Sequence, residues 1–162
     1  MMLALLPLVW AADCKEGVTL PPATSLATVD WCNFDYGSVW GPLRAGRQEI
    51  REWGMDGGPH DTILSMLLGV QEVELLPDAG KEVWVALREE TYIHRASQAS
   101  TGTRFLLYAW RDGKPALVWT GYAPLAYEVK FVGTNATLWD HGRCVQRLRA
   151  EATGLVALGC TP

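Results

Sequence analysis

Four side chains in this sequence are of the types that hydrolytic enzymes use. His60 and Asp61 are adjacent and follow a glycine-rich loop, and a histidine beside a carboxylate can act as a general base. Ser65 is a candidate nucleophile, although it lacks the G-x-S-x-G context of a nucleophile elbow. Glu90 is a candidate acid. A secreted hydrolase that uses His60 and Asp61 with Ser65 or Glu90 is therefore the alternative function that the residues allow.

A metal centre is the second kind of chemistry to consider. Asp140 and His141 are adjacent and, joined by His60 or His94, would offer nitrogen and oxygen ligands. A histidine near a single cysteine does not make a zinc site, and no two of these residues have ligand spacing on one element. We therefore predict no metal at these positions.

The four cysteines form two near pairs, one at each end of the chain. Three pairings are possible, and we favour Cys14 with Cys32 and Cys144 with Cys160 because each closes a short local loop. Each bridge is worth about 3 kcal/mol in a chain-entropy model. Paired cysteines in a short chain favour an oxidising compartment.

The second cysteine pair also has a geometric argument. The segments on either side of residues Glu151 to Thr153 have the pattern of an antiparallel hairpin. If Cys144 lies opposite Cys160, Ala150 lies opposite Gly154, which leaves a three-residue loop. Directly opposed residues have Cα atoms close enough for a disulfide.

The beginning of the chain has the outline of a secretory signal. Leu3 to Trp10 is a short apolar run, and the small residues Ala11 and Ala12 follow it. We interpret residues 1–12 as a signal peptide and expect an exported, periplasmic or secreted protein. A transmembrane anchor is not expected, because a spanning helix needs about 20 apolar residues.

Composition limits the partners. The 162 residues carry a net charge of −4 and contain no basic block, which argues against nucleic acid as a partner. The apolar fraction of 49% argues against disorder. The eight tryptophans are expected mostly in the core, whereas an exposed aromatic cluster would indicate a glycan or peptide surface.

The hydrophobic pattern predicts a mainly β fold for residues 13–162. Arg47 to Trp53 is predicted to be a strand, whereas Asp61 to Leu68 is ambiguous between helix and strand. Later strands recur every 8–12 residues, and Asp112-Gly113 has the signature of a tight hairpin turn. We predict one antiparallel domain with two disulfides, and leave open a sandwich, a barrel or a partial propeller.

Residues 70–87, VQEVELLPDAGKEVWVAL, resemble a degenerate repeat of the FG-GAP/VCBS kind. Asp78, Gly80, Glu82 and the apolar run after them match the loop and second strand of that repeat. The resemblance implies an exported β-sheet protein, and in that family the loop often binds Ca²⁺, here through Asp78 and Glu82. Leu76 and Pro77 stand where further acidic ligands would be, so we expect no cofactor.

Taken together, these features predict an exported, non-enzymatic β domain. It would act on a protein or glycan partner as a binding or structural module of the cell envelope or exterior. The leader, the paired cysteines and the strand pattern motivate this hypothesis, and no catalytic constellation is evident in the sequence.

Overall fold

The computed structural model describes residues 7–10, 14–37, 42–52, 61–77, 80–93, 98–124, 128–152 and 154–160. Within these ranges the chain forms ten β-strands and one short 3₁₀ helix, Leu26–Thr28. The strands are β1 (Pro7–Trp10), β2 (Arg47–Glu52), β3 (Asp61–Val73), β4 (Glu82–Ile93), β5 (Gln98–Arg111), β6 (Lys114–Ala123), β7 (Glu128–Val132), β8 (Asn135–Asp140), β9 (Arg143–Glu151) and β10 (Gly154–Leu158). The prediction of a mainly β chain is confirmed.

The first six strands form one antiparallel sheet, which we call the large sheet. Its order is β1-β3-β4-β5-β6, and β2 also pairs with β3. β2 pairs with residues 61–66 of β3, and β1 pairs with residues 69–71 further along the same edge. In this chain, β1 therefore lies inside the segment that we interpret as a signal peptide.

The segment 61–68, which the sequence left ambiguous, is part of a strand. β3 is 13 residues long and pairs along most of its length with β4. A bulge between Leu67 and Gly69 shifts the register there. Because both edges of β3 are hydrogen-bonded to other strands, tertiary pairing decides its conformation.

The last four strands form the small sheet, in the order β10-β9-β8-β7. It packs on one face of the large sheet, which we call the inter-sheet face. The rings of Trp84 and Phe131, one from each sheet, have centroids 5.3 Å apart. The two sheets share a buried cluster that includes Phe105, Leu107, Leu138 and Leu148. Of the architectures left open, the described strands form a sandwich.

The opposite face of the large sheet is covered by the N-terminal layer, which we define as residues 14–37 and 42–46. Trp31, Tyr36 and Leu43 of this layer are buried against Val85 and Tyr108 of the sheet. We call this side of the sheet the layer face. The large sheet thus has a core on each of its two faces.

Tight turns connect several of the strands. Asp112 and Gly113 join β5 to β6 with φ angles of 51° and 77°, and His141 and Gly142 join β8 to β9 with 46° and 78°. Positive φ at both central residues is the signature of a type I′ hairpin, and glycine adopts it without strain. The predicted Asp-Gly hairpin is present.

Both predicted disulfides are confirmed. Cys14 is bonded to Cys32 and Cys144 to Cys160, with Cα separations of 5.5 and 5.8 Å. The predicted register of the terminal hairpin is wrong by one residue, since Ala150 pairs with Leu155 and not with Gly154. The bond still forms because β10 ends at Leu158, so that Cys160 is not held to the strand register.

Candidate functional site

The structure separates the described hydrolase candidates. Ser65 and Asp61 lie on the same face of β3, four residues apart, which is roughly 13 Å along a strand. That distance is too long for a direct hydrogen bond between their side chains. His60 lies outside the described residues. Ser65 is buried at 8% exposure, and its partner on β4 is Glu89.

Glu90 faces the other side of the sheet. It follows Glu89 along β4, and successive side chains of a strand point to opposite faces. Its carboxylate Oε1 lies 2.6 Å from Nε of Arg88, which is on the same face. The structure therefore does not bring Glu90 together with Ser65.

The metal candidates that the structure describes do not form a cluster. Among the described residues, no group of three or more His, Cys, Asp or Glu side chains is placed to hold a metal ion. Asp140 and His141 do interact, with 2.5 Å between Oδ1 and Nδ1, but the histidine is 84% exposed in the β8–β9 turn. His94 and Asp78 lie outside the described residues.

Glu82 organises the connection between β3 and β4. Its side chain is fully buried, and Oε2 accepts hydrogen bonds from the backbone N–H of Leu75 at 2.7 Å and of Leu76 at 3.4 Å. Burial raises the pKa of Glu82, although the two amide bonds oppose that effect. Glu82, one of the two calcium candidates, therefore stabilises the connection between β3 and β4.

Glu82→Gln removes this titration and keeps an acceptor oxygen for the two amides. Because burial raises the pKa of Glu82 above its ordinary 4.5, the folded protein takes up a proton at a higher pH than the unfolded chain. At pH values above the pKa of Glu82 in the folded protein, the buried charge therefore lowers the free energy of unfolding of the wild type. We subtract the free energy of unfolding of the wild type from that of the variant. We expect this difference to decrease as the pH falls through that pKa towards 4.5. Urea unfolding across a pH series measures it, and a difference that grows on acidification would contradict the assignment.

A polar surface lies on the layer face of the large sheet. It is a shallow groove of about 480 Å³ that spans strands β4, β5 and β6. We call it the polar groove and define it by Glu89, Thr91, Ser100, Arg104, Thr120, Gly121 and Tyr122. Along β4 and β5 the buried Leu87 and Leu106 give way to Glu89 and Arg104 two residues away on the same face. The polar groove and the core beneath the N-terminal layer therefore lie next to each other on the same face of the large sheet.

An ion pair forms the centre of the polar groove. Arg104 Nε lies 2.8 Å from Glu89 Oε1, and Arg104 Nη2 lies 3.2 Å from Glu89 Oε2. This bidentate contact fixes the plane of the guanidinium and leaves further N–H donors directed elsewhere. The side chains are 42% and 23% exposed, so a ligand can reach both a donor and an acceptor.

Tyr122 forms an aromatic platform beside the ion pair. It is 52% exposed and pairs with Arg104 across the strands. Its ring lies over Gly102: a Cβ atom at that glycine would be 2.0 Å from the tyrosine Oη. The absence of a side chain at Gly102 is therefore what allows the ring to lie down on the sheet.

Sequence reasoning missed the polar groove. Its members lie on three strands and are individually ordinary surface residues. One signal was present: Gly102 and Gly121 interrupt the β5 and β6 patterns, and a glycine inside a strand often marks a close approach. Gly121 is covered by the ring of Trp119 on the other face.

Two further findings bear on function. In the described part of the chain, no helix is long and apolar enough to cross a membrane. Comparison with protein-family models, curated proteins and solved structures finds no significant match for this chain.

Proposed function

We propose that this chain is an exported, non-enzymatic β domain that binds a glycan in the polar groove. It would serve as a binding or structural module of the cell envelope or exterior. The observation that carries the proposal is the exposed Tyr122 ring held over Gly102, next to the Arg104–Glu89 pair.

The chemistry of the groove suits a carbohydrate. The apolar C–H face of a pyranose packs on a flat aromatic ring, and Tyr122 offers such a ring at low entropic cost because Gly102 supports it. Sugar hydroxyls both donate and accept, and Ser100, Thr120 and the ion pair supply matching groups. A shallow groove with mixed polar groups fits an extended chain better than a small apolar molecule.

Two observations support export. The apolar segment that ends at Ala11 and Ala12 has the outline of a signal peptide. The two disulfides are of the kind that persists in oxidising compartments. N-terminal sequencing of the secreted product tests this part, and an intact Met1 on cytosolic protein would contradict it.

Tyr122→Ala tests the binding site. Isothermal titration with chitohexaose, cellohexaose and mannohexaose is expected to show binding of at least one, weakened about tenfold in the variant, since a ring stack worth about 1.4 kcal/mol is lost. Tyr122→Phe keeps the ring and should bind within a few-fold of wild type.

Tyr92→Ala is the matched control. Tyr92 is also exposed, at 42%, but lies on the inter-sheet face of the same large sheet. Its loss should leave the dissociation constant unchanged. Equal weakening by both alanine variants, or no binding of any of the three oligosaccharides, would contradict the proposal.

A further inference from the structure

The polar groove presents two charges that cancel each other. The guanidinium of Arg104 contacts both carboxylate oxygens of Glu89, at 2.8 Å from Nε to Oε1 and at 3.2 Å from Nη2 to Oε2. The other side chains that define the groove are uncharged: Thr91, Ser100, Thr120 and Tyr122. The groove therefore offers a ligand hydrogen-bond donors and acceptors without a net charge.

Glu89 is the acidic partner that neutralises Arg104. It pairs with Gly102 of β5, and Arg104 lies two residues further along that strand, so the two long side chains are diagonal neighbours on the layer face. Among the described residues that define the groove, no second carboxylate is present. Loss of the Glu89 charge would thus leave Arg104 as an uncompensated cation in the groove.

The aromatic platform places a bound sugar beside this ion pair. Tyr122 lies directly opposite Arg104 across β5 and β6, and directly opposed residues have Cβ atoms about 5 Å apart. The ring of Tyr122 also lies over Gly102, whose partner on β4 is Glu89. A pyranose stacked on that ring therefore has its exocyclic groups within reach of both charged side chains.

An acidic sugar would meet both charges of the pair at once. In a uronic acid the exocyclic group is a carboxylate, and its attraction to Arg104 is opposed by repulsion from Glu89 close by. Arg104 also already donates from Nε and Nη2 to Glu89, so the edge of the guanidinium that suits a carboxylate is occupied. A hydroxymethyl group in the same position is uncharged and can both donate and accept, so it avoids this repulsion.

We propose that Glu89 is a specificity-determining residue, which makes the polar groove select uncharged glycans and exclude glycans of uronic acids. It does so by occupying the guanidinium of Arg104, which would otherwise bind a sugar carboxylate. This role of Glu89 rests on the proposed function, because it requires the polar groove to be the glycan site.

Glu89→Gln tests this role, because it removes the charge and keeps the size of the side chain and an acceptor for Arg104. The probes are hexamannuronate and the β-1,4-linked glucuronate hexamer, which are mannohexaose and cellohexaose oxidised at every C6. Isothermal titration with the full chain should show that wild type binds each uronate more weakly than its neutral counterpart. The variant should bind at least one uronate about tenfold more tightly than wild type does, through a charge-assisted bond to Arg104.

Glu90→Gln is the matched control. It changes the net charge by the same amount and releases Arg88, whose Nε lies 2.6 Å from Glu90 Oε1, but on the inter-sheet face. This variant should bind the uronates as wild type does. The double variant Glu89→Gln with Arg104→Gln should lose the tenfold gain, because the cation that receives the sugar carboxylate is gone.

Three results would overturn the role of Glu89. They are wild-type binding of a uronate as tight as that of its neutral counterpart, no gain in Glu89→Gln with unchanged far-ultraviolet circular dichroism, and an equal gain in Glu90→Gln. The first comparison needs no variant to fold. Each of these results leaves the glycan site itself standing, whereas failure of wild type to bind any neutral hexaose overturns the proposed function.

Discussion

The double variant Cys14→Ser with Cys32→Ser is expected to lose about 3 kcal/mol of unfolding free energy. The bond spans 18 residues, and its loss frees the unfolded chain to adopt more conformations. The bond also holds the beginning of the N-terminal layer to the segment that contains Trp31. Urea unfolding under non-reducing conditions measures the loss.

Gly46 explains why this bond also matters for the folded state. Its N–H donates to the Cys32 carbonyl at 2.7 Å, and its own carbonyl accepts from the N–H of Leu67 in β3 at 2.8 Å. A Cβ atom at Gly46 would lie 2.8 Å from the sulfur of Cys14, so the bridge packs directly on this glycine. The disulfide, the N-terminal layer and the large sheet therefore meet at one point.

The double variant Cys144→Ser with Cys160→Ser is the control. That bond spans a similar 16 residues, so a similar entropic loss is expected. It lies in the small sheet, far along the chain from the aromatic residues of the N-terminal layer. Only the Cys14–Cys32 variant should speed the hydrogen exchange of the Gly46 and Leu67 amides, whose hydrogen bonds lie at that bridge. An unchanged unfolding midpoint in that variant would show that the bond does not hold the layer.

Trp31→Ala is expected to cost about 3–5 kcal/mol, the usual range for truncating a buried aromatic residue. Trp31 is 2% exposed, and its ring centroid lies 4.9 Å from that of Phe34 and 5.4 Å from that of Tyr108. Its indole N–H also donates to the Leu26 carbonyl at 3.2 Å. The variant thus opens a cavity and removes one of the two donors to the Leu26 carbonyl, the other being the N–H of Val29 at 3.4 Å.

Trp31→Phe separates these two contributions. It keeps most of the packing and loses the hydrogen bond to Leu26, so a smaller loss of about 1–2 kcal/mol is expected. The ionisation of Tyr108 gives a second measurement, because burial raises its pKa to about 12. In Trp31→Ala the pKa of Tyr108 should fall as water reaches the ring. If the pKa of Tyr108 stays high in Trp31→Ala and little stability is lost, Trp31 does not hold the packing around Tyr108.

Local patterns predicted a large part of the fold. Asp112-Gly113 predicted its hairpin because type I′ turns require positive φ at both central positions. The disulfide pairing of Cys144 with Cys160 was also predictable, because a hairpin brings residues close in sequence together. The one-residue error in register arose because Cys160 lies beyond the paired strand.

The candidate sites were less predictable. The polar groove joins Glu89 to Arg104 and Tyr122, and these residues are brought together by strand pairing and not by sequence spacing. No periodicity within one strand carries that information, since each strand reveals only its own alternation.

The sequence by itself therefore determined the β class, the turns and the cysteine pairing, all of which depend on residues close along the chain. The tertiary structure decided that segment 61–68 is a strand, that Ser65 and Glu90 face opposite sides, and which side chains share each groove. The physical reason is that a side chain's neighbours across a sheet depend on strand order and register. Those are set by the burial of both faces of the large sheet at once.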